Sequence, residues 1–171
     1  MPSVKGRVWK FGDHVDTDAM IPGKYLASLS DPQQLAPHCM EILHPAFARE
    51  AGPGDIVVAG RNFGCGSSRP GAMVLQAKGI ACIVAHSFSR LFLRNGIGIG
   101  LPLVECPEAA AAIQEGDVIE VDWEAGTIAN HTRGESYRTR PFPPFLREML
   151  EAGGVIGYAR RRLELAGGGP A

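Results

Sequence analysis

Residues 60–69, Gly-Arg-Asn-Phe-Gly-Cys-Gly-Ser-Ser-Arg, set two hydroxyls, a thiol and a guanidinium side by side. The segment follows an apolar run, Asp55-Ile56-Val57-Val58-Ala59, and precedes helical apolar content from Ala72 to Gly79. A glycine-rich turn from a strand into a helix aims free backbone N–H groups and the positive end of the helix dipole at one spot. Such a spot suits a small anion. A carboxylate fits best, because the Arg69 guanidinium can grip it with two parallel hydrogen bonds. Three uses of the turn stand open on composition: a tight turn in which Ser67 or Ser68 caps the helix, a phosphate or nucleotide cradle, and a carboxylate-binding catalytic turn. The phosphate use lacks the Gly-x-x-x-x-Gly-Lys-Ser/Thr spacing and any loop lysine, and Gly-x-Gly-x-x-Gly fails because position 69 is arginine. The third use gains from Arg69 beside two serines, more than a cap requires. A serine hydroxyl acts as a base only where N–H groups and positive charge stabilise its alkoxide. The Gly-x-Ser-x-Gly elbow is absent. Cys65, between two glycines, is a rival nucleophile, since helix N-termini activate thiols, although no histidine is near it in sequence.

The rest of the chain must position this turn. Its 171 residues allow one domain. Hydrophobic content of 45% and charged content of 20% are ordinary for a globular protein. Lys+Arg number 17 against 18 Asp+Glu, a net charge of -1, so there is no basic field for a nucleic acid. No signal-like N-terminus and no run of roughly 18 apolar residues occur, which leads us to expect a cytoplasmic protein with no membrane partner. Cys39, Cys65, Cys82 and Cys106 are scattered without a Cys-x-x-Cys pair, so reduced thiols and no metal in this chain are expected. His14, His38, His44, His86 and His131 are dispersed, and none is assigned a metal.

Arg7 to Phe11 reads as a first strand, followed by a polar loop with Asp16, Thr17 and Asp18. These three either orient a ligand or turn on their own backbone. Asp31-Pro32 opens a helix near 33–40 by aspartate cap and proline at the first helical position, and a second helix spans about 45–51. Ile56–Ala59, Ala81–Ala85 and Leu101–Val104 are β-prone runs separated by helical patterns at about 69–78 and 87–95, the latter with Ser87 as N-cap. Phe88, Leu91, Phe92 and Asn95 share one face of that helix, with Arg90 and Arg94 on another as a surface or interface stripe. This β-α-β-α-β order predicts parallel strands with ligands beyond their carboxyl ends, where residues 60–69 fall. The last third predicts a helix at 107–114, a strand at 117–122, a hairpin from 127–130 and 135–139, and a helix at 145–152 stopped by Gly153-Gly154. Trp9 and Trp123 are expected as core or interface anchors. Gly54-Asp55 and Gly116-Asp117 open two strands alike without making a repeat. The fold class is α/β with an added antiparallel part, one domain over 1–162 and a frayed tail over 163–171.

The run Asn62 to Arg69, with Gly79-Ile80, Ser87-Phe88-x-Arg90-x-Phe92-x-Arg94-Asn95 and Gly100-Leu101-Pro102, resembles the small subunits of 3-isopropylmalate dehydratase and their relatives. That family is the separate-chain form of the aconitase swivel domain. Gly6 to Asp13, the loop Asp16-Thr17-Asp18-x-x-Ile21-Pro22-Gly23-x-Tyr25-Leu26 and the ending Pro144-Phe145-Leu146 fit it too. The resemblance implies a swivelling β/β/α domain and a hydro-lyase acting on a small malate-like hydroxy acid. Its active site is shared with a large subunit that carries a [4Fe-4S] cluster, in a heterodimer or heterotetramer. It further implies Ser67 as the base beside a carboxylate, and Ser68 and Arg69 as substrate contacts, with Gly66 and Cys65 in the same turn. Tyr25, Leu26, Ala27, Ser28 and Leu29 are implied as the loop that reads the substrate's variable group. That loop holds no arginine, which favours an apolar substituent and isopropylmalate; Lys24 is the one nearby cation. Homoaconitate, citramalate and dimethylmalate, or a dicarboxylate-binding module without turnover, are the alternatives. One departure stands out: Pro70-Gly71 replaces the Glu and His or Gln that usually follow in the family. Gly71 costs a helix about 1 kcal/mol against alanine.

Overall fold

The computed structural model describes residues 3–66 and 69–167. Seven strands form one sheet in the order β4-β3-β2-β1-β5-β6-β7. β1 (Ser3–Lys10), β2 (Ile56–Ala59), β3 (Cys82–Ala85) and β4 (Leu103–Glu105) pair in parallel, while β5 (Val118–Asp122), β6 (Thr127–Asn130) and β7 (Glu135–Arg138) add an antiparallel extension through β1. Strand existence and direction follow the sequence expectation. β1 is longer than expected because its first half pairs with β5, register Ser3↔Asp122 to Arg7↔Val118, a partner no local pattern announces.

The helices between β1 and β2 are short: α1 (Thr17–Met20), α2 (Gly23–Leu26), α3 (Pro32–Leu35) with a 3-10 turn at Ala36–His38, and α4 (Pro45–Glu50). Asp31 caps α3 by accepting from the Gln33 N–H at 2.9 Å, with Pro32 at the first helical position. The single helix expected over 33–40 is thus a turn of α-helix followed by a 3-10 turn. α5 (Gly71–Ala77) and α6 (Arg90–Gly98) make the parallel crossovers, and α7 (Pro107–Ala112) leads to β5. Ser89, not Ser87, caps α6 by accepting from the Phe92 N–H. The backbone is still extended at Phe88, which bridges to Phe63, so Ser87 Oγ instead accepts from the Asn62 N–H at 2.9 Å.

Alternation along the parallel strands splits the interior in two. Trp9, Val57, Ala59, Ile83, Ala85 and Leu103 face one core with Phe47, Phe63, Leu75 and Phe92. Val8, Ile56, Val58, Cys82, Val84 and Val104 face another with Ile113, Ile119, Val121, Trp123 and Ile128. Period-2 strands buried on both faces read as unbroken apolar runs. Each fully buried Val, Leu, Ile or Phe contributes roughly 1.5–3 kcal/mol. The sheet curls round the second core until its far edges meet: Thr139 Oγ1 donates to the Glu105 carbonyl at 3.0 Å.

Two helices close the chain, α8 (Pro144–Glu151) and α9 (Val155–Gly167), joined at Gly153 and Gly154. Within the tail expected to fray after Arg162, helix continues through Gly167; residues 168–171 lie outside the described residues. Leu163, Glu164, Leu165 and Ala166 are strong helix formers, and they hold the helical turn although Leu163 and Leu165 are exposed. Among the described residues, no helix is long and apolar enough to cross a membrane.

Candidate functional site

Three loops leave the carboxyl ends of β1, β2 and β3 and stay hydrogen-bonded to one another. Gly64 N donates to the Val15 carbonyl at 2.8 Å and Thr17 N to the Cys65 carbonyl at 2.9 Å. On the other side Phe63 N donates to the Ser87 carbonyl and Ser89 N to the Phe63 carbonyl, both at 3.0 Å. The glycine-rich turn is thereby a third layer of parallel pairing, continued past the strands as the bridges Asp16↔Cys65 and Phe63↔Phe88. Gly64 makes this possible. It has φ +77, and a Cβ there would lie 2.1 Å from the Phe92 ring, so both conformation and space exclude a side chain.

Arg69 stands at the end of this turn, its side chain 25% exposed. Its Nε lies 2.9 Å from Asp18 Oδ1. Its Nη1 donates to the carbonyls of Asp18 and Ile21. The guanidinium is therefore fixed in orientation by the loop after β1. A Cβ on Gly23 would come 3.2 Å from its Nη2, so the first residue of α2, two positions before Tyr25, lies against the arginine. The triad 16–18 divides in role. Asp16 caps α1 by accepting from the Ala19 N–H at 2.6 Å, Asp18 orients Arg69, and Thr17 is 5% exposed with no partner for its Oγ1 among the described residues. The loop expected at 16–18 is in part this four-residue helix, too short to carry a periodic signal.

Ser67 and Ser68 lie outside the described residues. Cys65 is half-buried and Gly66 exposed at the same turn. Pro70 occupies the N-cap of α5 without a side-chain cap bond. Gly71, the departure from the family pattern, is buried, and a Cβ there would meet Met20 Sδ at 2.7 Å. The glycine is thus matched to a methionine that fills the space. A groove of about 830 Å³ runs from Arg69 between α5, α6 and α9, with Gly71, Met73, Leu91, Phe92 and Ile156 on its wall. An oriented guanidinium thus adjoins an apolar surface.

The Tyr25–Leu29 loop is tied down by a residue that sequence reasoning missed. Glu41 accepts from Tyr25 Oη at 2.8 Å, and its carboxylate lies 3.1 Å from both Lys24 Nζ and His38 Nδ1. Partial burial alone would raise the Glu41 pKa, but the hydrogen bonds from Tyr25, His38 and Lys24 outweigh it and hold it below the usual carboxylate range. Lys24 is held above its ordinary value by Tyr25 and then Glu41. This lysine is committed to Glu41.

Among the described residues, no three His, Cys, Asp or Glu side chains converge as a metal site. Cys39, Cys82 and Cys106 are buried and apart, and burial pushes the Cys39 thiol up to about 12. These residues do not fit an iron–sulfur cluster.

The segment that holds these loops, residues 15–109, matches the family model of the aconitase C-terminal domain. The chain is 51% identical to the 3-isopropylmalate dehydratase small subunit of Moorella thermoacetica, over 94% of this chain and 97% of that protein. It is 48% identical to the 2,3-dimethylmalate dehydratase small subunit of Eubacterium barkeri, over 90% and 94% respectively. A crystal structure of 3-isopropylmalate dehydratase from Methanocaldococcus jannaschii superposes with a TM-score of 0.89 at 38% identity, over 96% of this chain and 98% of that one. Because the fold and nearly the whole length are shared, the chain belongs to the 3-isopropylmalate dehydratase small subunits and their relatives, in the aconitase swivel-domain family.

Proposed function

We propose that this chain is the small subunit of a hydro-lyase that interconverts 2- and 3-isopropylmalate by dehydration and rehydration, in leucine biosynthesis. Its active site is completed by a large subunit carrying the [4Fe-4S] cluster. The observation that carries this reading is Arg69, fixed by Asp18 and the Ile21 carbonyl beside an apolar groove. A hydroxy acid with an alkyl substituent needs both surfaces. Arg69 binds a substrate carboxylate by charge and by the N–H groups of Nη2, its Nε and Nη1 being engaged by the loop after β1, and Ser68 adds a polar contact. Ser67, two residues before the arginine, takes the proton from the carbon next to that carboxylate. Positive charge nearby lowers the cost of its alkoxide. Departure of the hydroxyl is assigned to groups outside this chain.

Substrate choice follows from the loop. Tyr25 to Leu29 contains no cation, and Lys24 is paired with Glu41, so an additional carboxylate would be buried without a partner. This supports an alkyl group over homoaconitate. The dimethylmalate relative is 48% identical against 51% for the isopropylmalate one, a margin too small to choose among alkyl groups. The test is reconstitution with the cluster-loaded large subunit, following alkene absorbance with isopropylmalate, dimethylmalate, citramalate and homoaconitate. Turnover fastest with isopropylmalate, and lost on Ser67→Ala, is expected. Wild-type dehydration by Ser67→Ala removes the base assignment, and binding without turnover leaves a dicarboxylate-binding module.

A further inference from the structure

The chemistry assigned above uses neither Glu41 nor His38, yet they form a dense polar cluster outside the glycine-rich turn. Tyr25 and His38 stack with ring centroids 3.8 Å apart and planes 17° from parallel. Both rings reach the Glu41 carboxylate, Tyr25 Oη on Oε1 at 2.8 Å and His38 Nδ1 at 3.1 Å from Oε2. The backbone turns sharply just before it. Met40 is fully buried with φ +61, its N–H donating to the Met20 carbonyl at 2.9 Å. That conformation is unfavourable for a non-glycine residue and persists only where its surroundings enforce it. It directs Glu41 back over the segment that begins at Gly23, which lies against Arg69. Leu26, Ala27 and Ser28 are exposed beyond it, while the N–H groups of Ser28 and Leu29 return to the Tyr25 carbonyl at 3.1 and 2.8 Å and Leu29 packs on the core, so the placement of Tyr25 is passed on to the rest of the loop.

We infer that Glu41 is the anchor of the substrate-reading loop: by clamping Tyr25, with Lys24 and His38 as flanking partners, it sets where residues 26–29 stand relative to Arg69. Glu41 touches no substrate; it is a positioning residue. The inference rests on the proposed role of the Tyr25–Leu29 loop. A pre-organised loop lowers the ordering cost of binding, so loss of the anchor acts on KM and on discrimination among substituents before it acts on turnover.

The test compares Glu41→Ala, Glu41→Gln and Ala27→Arg in the complex with the large subunit, and amide hydrogen exchange over residues 23–29 in each. Glu41→Ala is expected to raise KM for isopropylmalate ~10-fold, with kcat within about twofold and the preference over citramalate flattened, as expected when only ordering energy is lost. Exchange over 23–29 should quicken, and Glu41→Gln, which keeps a hydrogen-bond acceptor for Tyr25, should recover most of both effects. Unchanged exchange in Glu41→Ala overturns the anchor, as does an equal fall of kcat with every substrate at constant KM. Ala27→Arg separates the two layers. If it shifts preference toward homoaconitate while Glu41→Ala alters nothing, the anchor alone fails; if it shifts nothing, the loop's reading role fails and the inference with it.

Discussion

Two arginine–aspartate pairs in this molecule show opposite arrangements of one chemistry. In Arg133–Asp117 the acid is buried, its side chain 5% exposed, while the arginine is 45% exposed. In Arg69–Asp18 the acid is 66% exposed and the arginine is the more buried partner. Asp117 is saturated: the Gln114 N–H, the Asn130 amide and Arg133 Nε all donate to it. Arg69 is instead held at two of its nitrogens, Nε by the Asp18 carboxylate and Nη1 by two backbone carbonyls, all from the one loop after β1. A buried, fully satisfied charge fixes structure and resists removal. A cation oriented at the mouth of a groove is prepared for an anion that arrives from outside. Which partner is buried, and from how many sides it is satisfied, separates the pair closed within the fold from the pair to which a substrate-binding role is proposed.

The largest effect expected from this contrast is on activity. Arg69→Ala should lower kcat/KM in the reconstituted complex by ~10³-fold, about 4 kcal/mol of transition-state stabilisation, with the unfolding midpoint nearly unchanged. Loss of stability instead of activity would erase the distinction between the pairs. Next, Asp117→Ala should cost about 3 kcal/mol in chemical denaturation, because it strands the Asn130 amide and the Gln114 N–H in a buried site. Its kcat should stay within a small factor of wild type. Asp18→Asn comes third. It keeps the shape but removes the charge that orients Arg69, so KM should rise ~10-fold, about 1.4 kcal/mol, and stability should move by less than ~0.5 kcal/mol since the aspartate itself is largely exposed.

The two pairs also mark how far the sequence could be read. Gly54-Asp55 and Gly116-Asp117 look alike in sequence, and the structure makes the same turn at both. Asp55 N donates to the Gly52 carbonyl while Gly52 N donates back to Asp55 Oδ2, and Gln114 and Asp117 repeat this exchange. Local chemistry of that kind, like the Asp31 cap and the apolar runs of β2, β3 and β4, is legible because neighbours in sequence decide it. The anchoring of Arg69 by Asp18 is not, since it joins residues 51 apart and depends on the β1–β2 register. Glu41 escaped notice for the same reason, because its contact with Tyr25 requires the turn at Met40. α9 carries few buried groups, so no apolar stripe announced it. The turn at 60–69 was legible as a strand-to-helix connection through its glycines; that Gly64 packs on Phe92 and Gly71 on Met20 was not, because an absent side chain reveals nothing about what fills its place.

The smallest expected effect probes the structural pair from its exposed side. Arg133→Gln removes a half-exposed guanidinium, so at neutral pH it should cost at most about 1 kcal/mol, well below Asp117→Ala. Its signature lies in acid. Burial alone would raise the Asp117 pKa, but the Gln114 N–H, Asn130 and Arg133 outweigh it and hold it below the ordinary value. A carboxylate with a depressed folded-state pKa contributes stability that is fully present above the unfolded value near 3.9 and is lost as pH falls through the folded one. Removing Arg133 brings the folded pKa closer to the unfolded value. The loss then begins at the same pH but ends at a higher one, and is smaller in total. Urea unfolding of wild type and Arg133→Gln from about pH 6 to about pH 3 should therefore show two curves that converge on acidification. Parallel curves would mean that Asp117 is held by Gln114 and Asn130 alone, and that Arg133 contributes little to the satisfaction that distinguishes this pair from Arg69–Asp18.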